Sequence, residues 1–316
     1  MRICSFLPSG TEILFALGLG DSVVGVSFEC DYPSAAREKT VVVTTNLPVG
    51  LSENEIDRRV NEVAASGQSL YRIDANKVRE LQPDLIVTQD LCHVCAASPN
   101  DLGAILGTLS PHPIVVPLSP RTLADVWSDI AAVGEVTDRA SEARELVSNL
   151  RRQIADLKRE SSATAPPRVL CLEWLDPPFV AGHWVPEMVE LAGGIDVMGR
   201  VAEPGFRVSW EAIAASDPDL ILAMPCGVHQ AEVKSELKAV PFPDVWYTLR
   251  AVRNGNVFAV DASSYFSRPG PRLTDGIAVM ATLFQEVKLR KMEHAEPRKA
   301  PAAENDWRRS RVSGQR

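Results

Sequence analysis

Hydrophobic and polar positions along this chain follow two periods in alternation. Residues 2–7 form a short apolar run rich in β-formers, broken by Pro8-Ser9-Gly10-Thr11-Glu12. Ile13, Leu14 and Leu17 then recur at helical spacing. This predicts a helix over residues 12–19, capped by Ser9 or Thr11 and ended by Gly18 and Gly20. Residues 21–27 read as a second strand. A helical stretch at 76–81 leads into the apolar strand Pro83-Asp84-Leu85-Ile86-Val87-Thr88. Residues 100–109 read as helix and 114–116 as strand. Short strands alternating with helices predict a parallel α/β sheet.

From residue 122 the period is helical throughout. The breaks at Gly134 and Thr137-Asp138 predict one helix ending near Val133 and a long one over 138–159. Leu146, Leu150, Ile154 and Leu157 form its apolar stripe. Small residues and prolines at 161–167 mark a boundary. After it the first pattern returns. Arg168-Val169-Leu170-Cys171-Leu172 mirrors Arg2-Ile3-Cys4-Ser5-Phe6, and Asp217-Pro218-Asp219-Leu220-Ile221 mirrors Gln82-Pro83-Asp84-Leu85-Ile86. Helices are expected at 186–191 and 273–287, with a strand at 256–260. The prediction is an α/β protein of two Rossmann-like lobes with parallel sheets, joined by a long helix, with a ligand cleft between them. The N-terminal lobe spans 1–120, the connecting helical segment 121–165 and the C-terminal lobe 166–287. The basic segment 288–316, with few large apolar residues, is expected to be a disordered tail. One irregular α/β domain is the alternative.

The length of 316 residues fits about two domains. No apolar run approaches the roughly 20 residues of a membrane helix. The net charge of −8 divides into a tail of +5 and a body of −13, an acidic balance that argues against nucleic acid as the main partner. Read from Met1, the chain enters its first strand with no apolar leader, which predicts a cytoplasmic protein, or a periplasmic one if Met1 is not the native start. Six cysteines are then expected to be mostly reduced.

Ligands of parallel sheets bind outside the carboxyl ends of the strands, and with two lobes that place is the cleft. Residues following the strands are therefore the candidates. They are Ser9 after the first strand; Phe28, Glu29, Cys30, Asp31 and Tyr32 after the second; and Cys92, His93 and Cys95 after the Pro83 strand. In the second half they are Glu173, Trp174 and Asp176, with His183 and Trp184 beyond; Cys226 and His229; and Tyr265, Phe266 and Arg268.

The opening Pro-Ser-Gly-Thr-Glu turn, the paired Pro-Asp-Leu-Ile strands and the two-lobe plan resemble the substrate-binding proteins of ABC importers for vitamin B12, ferric siderophores and heme. The likeness covers residues 1–287 and is greatest to the cobalamin-binding branch. It implies non-catalytic binding of a cobalamin-like corrinoid or other metal chelate between the lobes, with a long helix limiting hinge motion. It also implies ABC transporter subunits as partners if the protein is exported. Ser9, Phe28, Glu29, Tyr32, Trp174, Trp184, Tyr265, Phe266 and Arg268 become the expected ligand-binding residues. A broad planar ligand needs flat apolar walls, and His93, His183 or His229 is then a possible axial ligand to cobalt.

Two further readings stay open. Cys92-x-x-Cys95 can grip a metal, and with Cys30 and Cys226 it would supply four thiolates for zinc or an iron–sulfur cluster. The same motif also marks dithiol redox proteins, although here the expected helix starts only after Pro99. An enzyme acting on a bound metabolite would draw on Glu29, Asp31, Glu173 or Asp176 as acid and base. No nucleophile elbow or phosphate loop is visible.

Overall fold

The computed structural model describes residues 1–48, 50–66, 69–89, 103, 105–107, 109–160 and 165–295. The chain forms two sheets. The first runs β4-β3-β2-β1-β5-β6, with β1 (Ile3–Ser5), β2 (Val23–Ser27), β3 (Thr40–Thr45), β4 (Tyr71–Ile73), β5 (Leu85–Gln89) and β6 (Ile114–Leu118). All pairs are parallel except β3–β4. Its helices include α1 (Pro8–Ala16), α2 (Glu53–Ser66) and α3 (Ala75–Leu81). Two helices, α4 (Leu123–Val136) and α5 (Ala140–Glu160), connect it to the second half.

The second half contains β7 (Arg168–Leu175), β8 (Pro178–Val180), α6 (Val185–Leu191), β9 (Ile195–Asp196), β10 (Phe206–Arg207) and α7 (Trp210–Ser216). It continues with β11 (Leu220–Ala223), α8 (Gln230–Ala239), α9 (Asp244–Thr248), α10 (Arg250–Arg253), β12 (Val257–Ala259), α11 (Ala262–Tyr265) and the closing α12 (Leu273–Ala295). Its sheet runs β10-β8-β7-β11-β12, with β9 beside β7. The β7, β11 and β12 strands are parallel, whereas β8 and β10 form an antiparallel edge that the hydrophobic pattern does not announce. The fold is the predicted two-lobed α/β class.

The internal repeat has a concrete physical basis. Gln82 and Asp217 end α3 and α7 with left-handed φ of 42° and 41°. The proline that follows each cannot continue a helix. The Asp84 and Asp219 carboxylates accept the backbone N–H of Arg2 (2.7 Å) and Arg168 (2.9 Å), and their own N–H groups donate back to the carbonyls of Arg2 and Arg168. The two Pro-Asp turns thereby set the register of β1 against β5 and of β7 against β11.

Several boundaries differ from expectation. Helix α1 begins at Pro8, with Leu7 as an N-cap that offers no side chain. Proline suits that first position because its missing N–H has no partner there, so Ser9 and Thr11 lie inside the first turn. Helix α4 runs through Gly134 to Val136: a Cβ at Gly134 would sit 2.5 Å from the Ala143 Cβ, so the glycine permits close α4–α5 packing. Helix α12 continues past Val287 to Ala295, where Arg290 pairs with Glu286 and Lys291 with Asp219. The strand expected at 114–116 is β6, and most of the helix expected at 100–109 lies outside the described residues. Neither α2 nor β4 was anticipated.

One buried cluster runs through both halves. It passes from Ile3, Val26 and Val87 through Ile130 of α4 and Leu150 of α5 to Val169, Leu222, Ile277 and Phe284. Leu146, Ile154 and Leu157 pack against it, as the α5 stripe predicts. This continuous apolar back leaves the carboxyl ends of the strands to meet through polar loops.

Candidate functional site

The loop after β2 places Phe28 and Tyr32 at the surface, 43% and 48% exposed, with Glu29 and Asp31 between them. Its base is pinned by the Phe28 N–H to Val43 O (3.0 Å) and by the Cys30 N–H to Ser27 O (3.0 Å). From the other lobe comes the turn Arg268-Pro269-Gly270-Pro271-Arg272. Arg268 donates to Asp31 Oδ1 (2.5 Å) and to Glu29 O (2.9 Å). Arg272 grips Glu12 of α1 with two bonds, Nε–Oε2 at 2.9 Å and Nη2–Oε1 at 2.5 Å. The Arg272 guanidinium also lies 4.1 Å over the Tyr32 ring and 5.8 Å from that of Tyr265, a cation–π arrangement shared by both lobes.

His229, at the start of α8, stands between two carboxylates. Its Nε2 is 3.3 Å from Asp31 Oδ2 and its Nδ1 is 3.1 Å from Asp261 Oδ1. Both ring nitrogens thus face carboxylate oxygens, one from each lobe. Burial raises the Asp31 pKa, but Arg268, His229 and Arg37 outweigh it and hold the group below the usual carboxylate range. Glu12 is only 4% exposed; burial pushes its carboxyl up against the pull of Arg272 and Arg268. Burial likewise raises Glu29, with Arg268 opposing.

A second bridge lies at α2. Glu53 Oε2 accepts the N–H of Leu175 (2.7 Å) and of Asp176 (2.8 Å), both at the carboxyl end of β7. Asp57 of α2 pairs with Arg207 at 2.8 Å. Helix α2 therefore reaches from one lobe onto the other.

The predicted residues divide as follows. Ser9 is buried, with the backbone of its Cα near Gly270 of the arginine turn. Glu29, Tyr32, Tyr265 and Arg268 gather around that turn. Phe28 stands on the same β2 loop, tilted against Tyr71 at 6.4 Å. Trp174 is half-buried in β7, with no hydrogen-bond partner on its Nε1. Trp184 and Phe266 are core residues, 5% and 2% exposed, joined by a 2.8 Å bond from the indole N–H to the Phe266 carbonyl. They back the site rather than face it. His183 has a left-handed φ of 52° and stacks on Trp184; burial, then Arg121, lowers its pKa and favours neutral imidazole. Cys30 is buried with its Sγ 3.1 Å from the Thr11 hydroxyl oxygen, and burial pushes its thiol up to about 11. Cys226 is exposed. Cys92, His93 and Cys95 lie outside the described residues. Among the described residues no three His, Cys, Asp or Glu side chains are grouped to hold a metal.

Glu12, Arg272, Asp261 as the partner of His229, and Glu53 with Glu236 escaped the sequence reading. Glu12 had a signal: a carboxylate directly before Ile13-Leu14 on a short apolar helix needs a buried cation. Arg272 had a weaker one, as the second arginine of a rigid Pro-Gly-Pro turn.

Comparison with known proteins bears on this geometry. Residues 3–263 match the family model described as periplasmic binding protein. A vitamin B12-binding protein of Vibrio cholerae is 24% identical over 286 residues, covering 89% of this chain and 88% of its own length. An ABC transporter substrate-binding lipoprotein of Bacillus subtilis is 25% identical over 289 residues, covering 89% and 78%. Among solved structures, the periplasmic vitamin B12-binding protein of Vibrio cholerae superposes with a TM-score of 0.66 at 23% identity, covering 91% of this chain and 97% of that one. The periplasmic heme-binding protein of Roseiflexus sp. RS-1 gives 0.67 at 24% identity, covering 90% and 98%. The expectation of a cytoplasmic protein finds no support among these relatives. With a family match over most of its length and two lobes meeting at their strand ends, the chain belongs to the periplasmic binding protein family and is a binding protein, not an enzyme.

Proposed function

We propose that the inter-lobe site binds a planar metal chelate, a cobalamin-like corrinoid or a related tetrapyrrole, and presents it to ABC transporter subunits from the outer side of the cytoplasmic membrane. The observation that carries this reading is the pairing of exposed aromatic rings on one lobe, Phe28 and Tyr32, with the Arg268–Arg272 turn on the other. Flat rings suit the face of a macrocycle, while the Arg268–Asp31 and Arg272–Glu12 pairs tie the two lobes together at the same place. The relatives named as vitamin B12-binding and heme-binding proteins support the same class. In this reading residues 1–120 and 166–287 are the two lobes and 121–165 is the connecting segment.

The thiolate alternative has less behind it. Buried Cys30 bonds to the Thr11 hydroxyl while Cys226 is exposed, and among the described residues no three metal-ligating side chains are grouped. Titration of the purified protein with cyanocobalamin, dicyanocobinamide and hemin tests the proposal. A saturable spectral change and a rise in Tm with one of them are expected. Tyr32→Ala is expected to weaken that binding by roughly tenfold, about 1.4 kcal/mol. If none of the three alters the spectrum or the Tm, the chelate reading is wrong.

A further inference from the structure

The chain between β3 and β4 leaves the first lobe and returns to it through one neck. Thr45 at the end of β3 pairs with Tyr71 at the start of β4. Next to them the Asn46 N–H donates to Leu70 O (2.8 Å), and its side-chain amide donates to Ser69 O (3.1 Å). Between these clamped ends stands α2, which secures its own first turn. The Ser52 hydroxyl and N–H both donate to Glu55 Oε2, at 2.7 and 2.8 Å, and the Ile56 N–H donates to Ser52 O. Arg58 and Arg59 reach Glu62 along the same helix, and Asn61 reaches Asp57. The helix is therefore held together by bonds within itself.

Its attachment to the rest of the molecule is of another kind. Among the described residues, none of Ile56, Val60 and Val63 belongs to a buried hydrophobic cluster or packs against one. The bonds that seat α2 on the opposite lobe are polar. Glu53 accepts from the N–H groups of Leu175 and Asp176, Asp57 pairs with Arg207, and Asn54 donates to Asp176 at 3.5 Å. The Asp57 and Arg207 side chains are 20% and 53% exposed, so water stands ready to replace each partner. The seat itself is firm: on β7, Val169, Leu170, Cys171 and Leu172 are wholly out of water.

We propose that α2 is a flap. Clamped at the neck by Asn46 and Leu70, it swings as a unit off the carboxyl end of β7 and uncovers that end of the cleft, next to Trp174 in the chain. Lifting exchanges polar bonds for water and opens no apolar core, so it belongs to the low end of local opening energies, well below global unfolding. The neck bonds stay made throughout, and the helix returns to the same seat. Ligands of parallel sheets bind outside the carboxyl ends of the strands, so the flap stands in their path. That role in ligand entry rests on the chelate-binding reading, whereas the movement does not.

Amide hydrogen exchange of the full chain, followed by NMR at constant pH without ligand, reads the movement. The N–H groups of Leu175 and Asp176 donate to Glu53, so they lose protection whenever α2 lifts. A free helix of 14 residues is marginal in water, so the α2 amides lose protection in the same event. The two sets are expected to share one level of protection, far below that of Leu170 and Leu172. Arg207→Ala, on the opposite lobe, is expected to lower both sets together by roughly two- to fivefold, the worth of one exposed ion pair. Glu53→Ala is expected to lower the α2 amides by roughly tenfold or more, with Leu170 and Leu172 unchanged in both variants. Protection of α2 equal to that of Leu170 and Leu172, or unmoved by both variants, would overturn the flap. Unprotected Leu175 and Asp176 amides in the wild type would do the same. With whichever of the three chelates binds, Arg207→Ala is expected to speed association by the factor by which protection falls, and an unchanged rate would overturn the role in ligand entry. If none binds, the chelate reading fails and the exchange data still decide the flap.

Discussion

The Cys30 thiol lies against the Thr11 hydroxyl beneath the loop that carries Tyr32. In so dry a place the thiolate loses more hydration than one hydroxyl returns, and the proton stays on. Iodoacetamide at neutral pH is therefore expected to leave Cys30 unmodified in the folded protein and to alkylate it after denaturation, read by peptide mass mapping. Alkylation of the folded chain at Cys30 would mean that the loop opens readily. At this scale the sequence was a partial guide. It marked the β2 loop as a place of chemistry, because loops at strand ends face the cleft. Whether a residue on that loop points outward, as Tyr32 does, or inward, as Cys30 does, depends on local turns that leave no period in the sequence.

At the scale of single elements, α4 carries a costly placement. Asp129 follows Asp125 by one turn, and its Oδ2 is buried without a partner. Burial, then the Asp125 charge, pushes its carboxyl up to about 7. The folded state thus binds this proton more tightly than the unfolded state. The group favours folding fully below the ordinary carboxylate range, and that advantage is lost as pH rises through about 7. Asp129→Asn is expected to raise Tm at pH 8 and leave it nearly unchanged at pH 4, measured by thermal unfolding. A gain at pH 4 as large as that at pH 8 would refute this assignment. The long elements were legible because their stripes are long: Leu146, Leu150, Ile154 and Leu157 spell out α5 over three turns. Helix α2 shows Ile56, Val60 and Val63 as its only large apolar residues, and the strand that follows it, β4, is three residues long. Such short, weakly apolar elements owe their existence to contacts made elsewhere.

Across the whole molecule the lobes share an apolar back and meet in front through charge. The Glu12–Arg272 pair has side chains only 3% and 13% exposed. Breaking it from one side leaves a buried charge, which costs about 3–5 kcal/mol. Arg272→Met is expected to lower the unfolding free energy measured by urea titration by that amount, and Glu12→Gln combined with Arg272→Met to recover much of it. If the double variant is no more stable than Arg272→Met, the pair is not the source of the loss.

What the sequence determined by itself is the repeated local grammar: a Pro-Asp turn leading into an apolar strand, written once around Asp84 and again around Asp219. Those rules act over a few neighbouring residues, so they can be read without a structure, and they were enough to define two lobes and a cleft. Which residues meet across the cleft was decided only by the tertiary structure. Arg272 and Glu12 are 260 positions apart in the chain, as Leu175 and Glu53 are 122 apart. Each such pairing depends on how the connecting helices set one lobe against the other, and on which buried charge then finds its counter-charge or its proton.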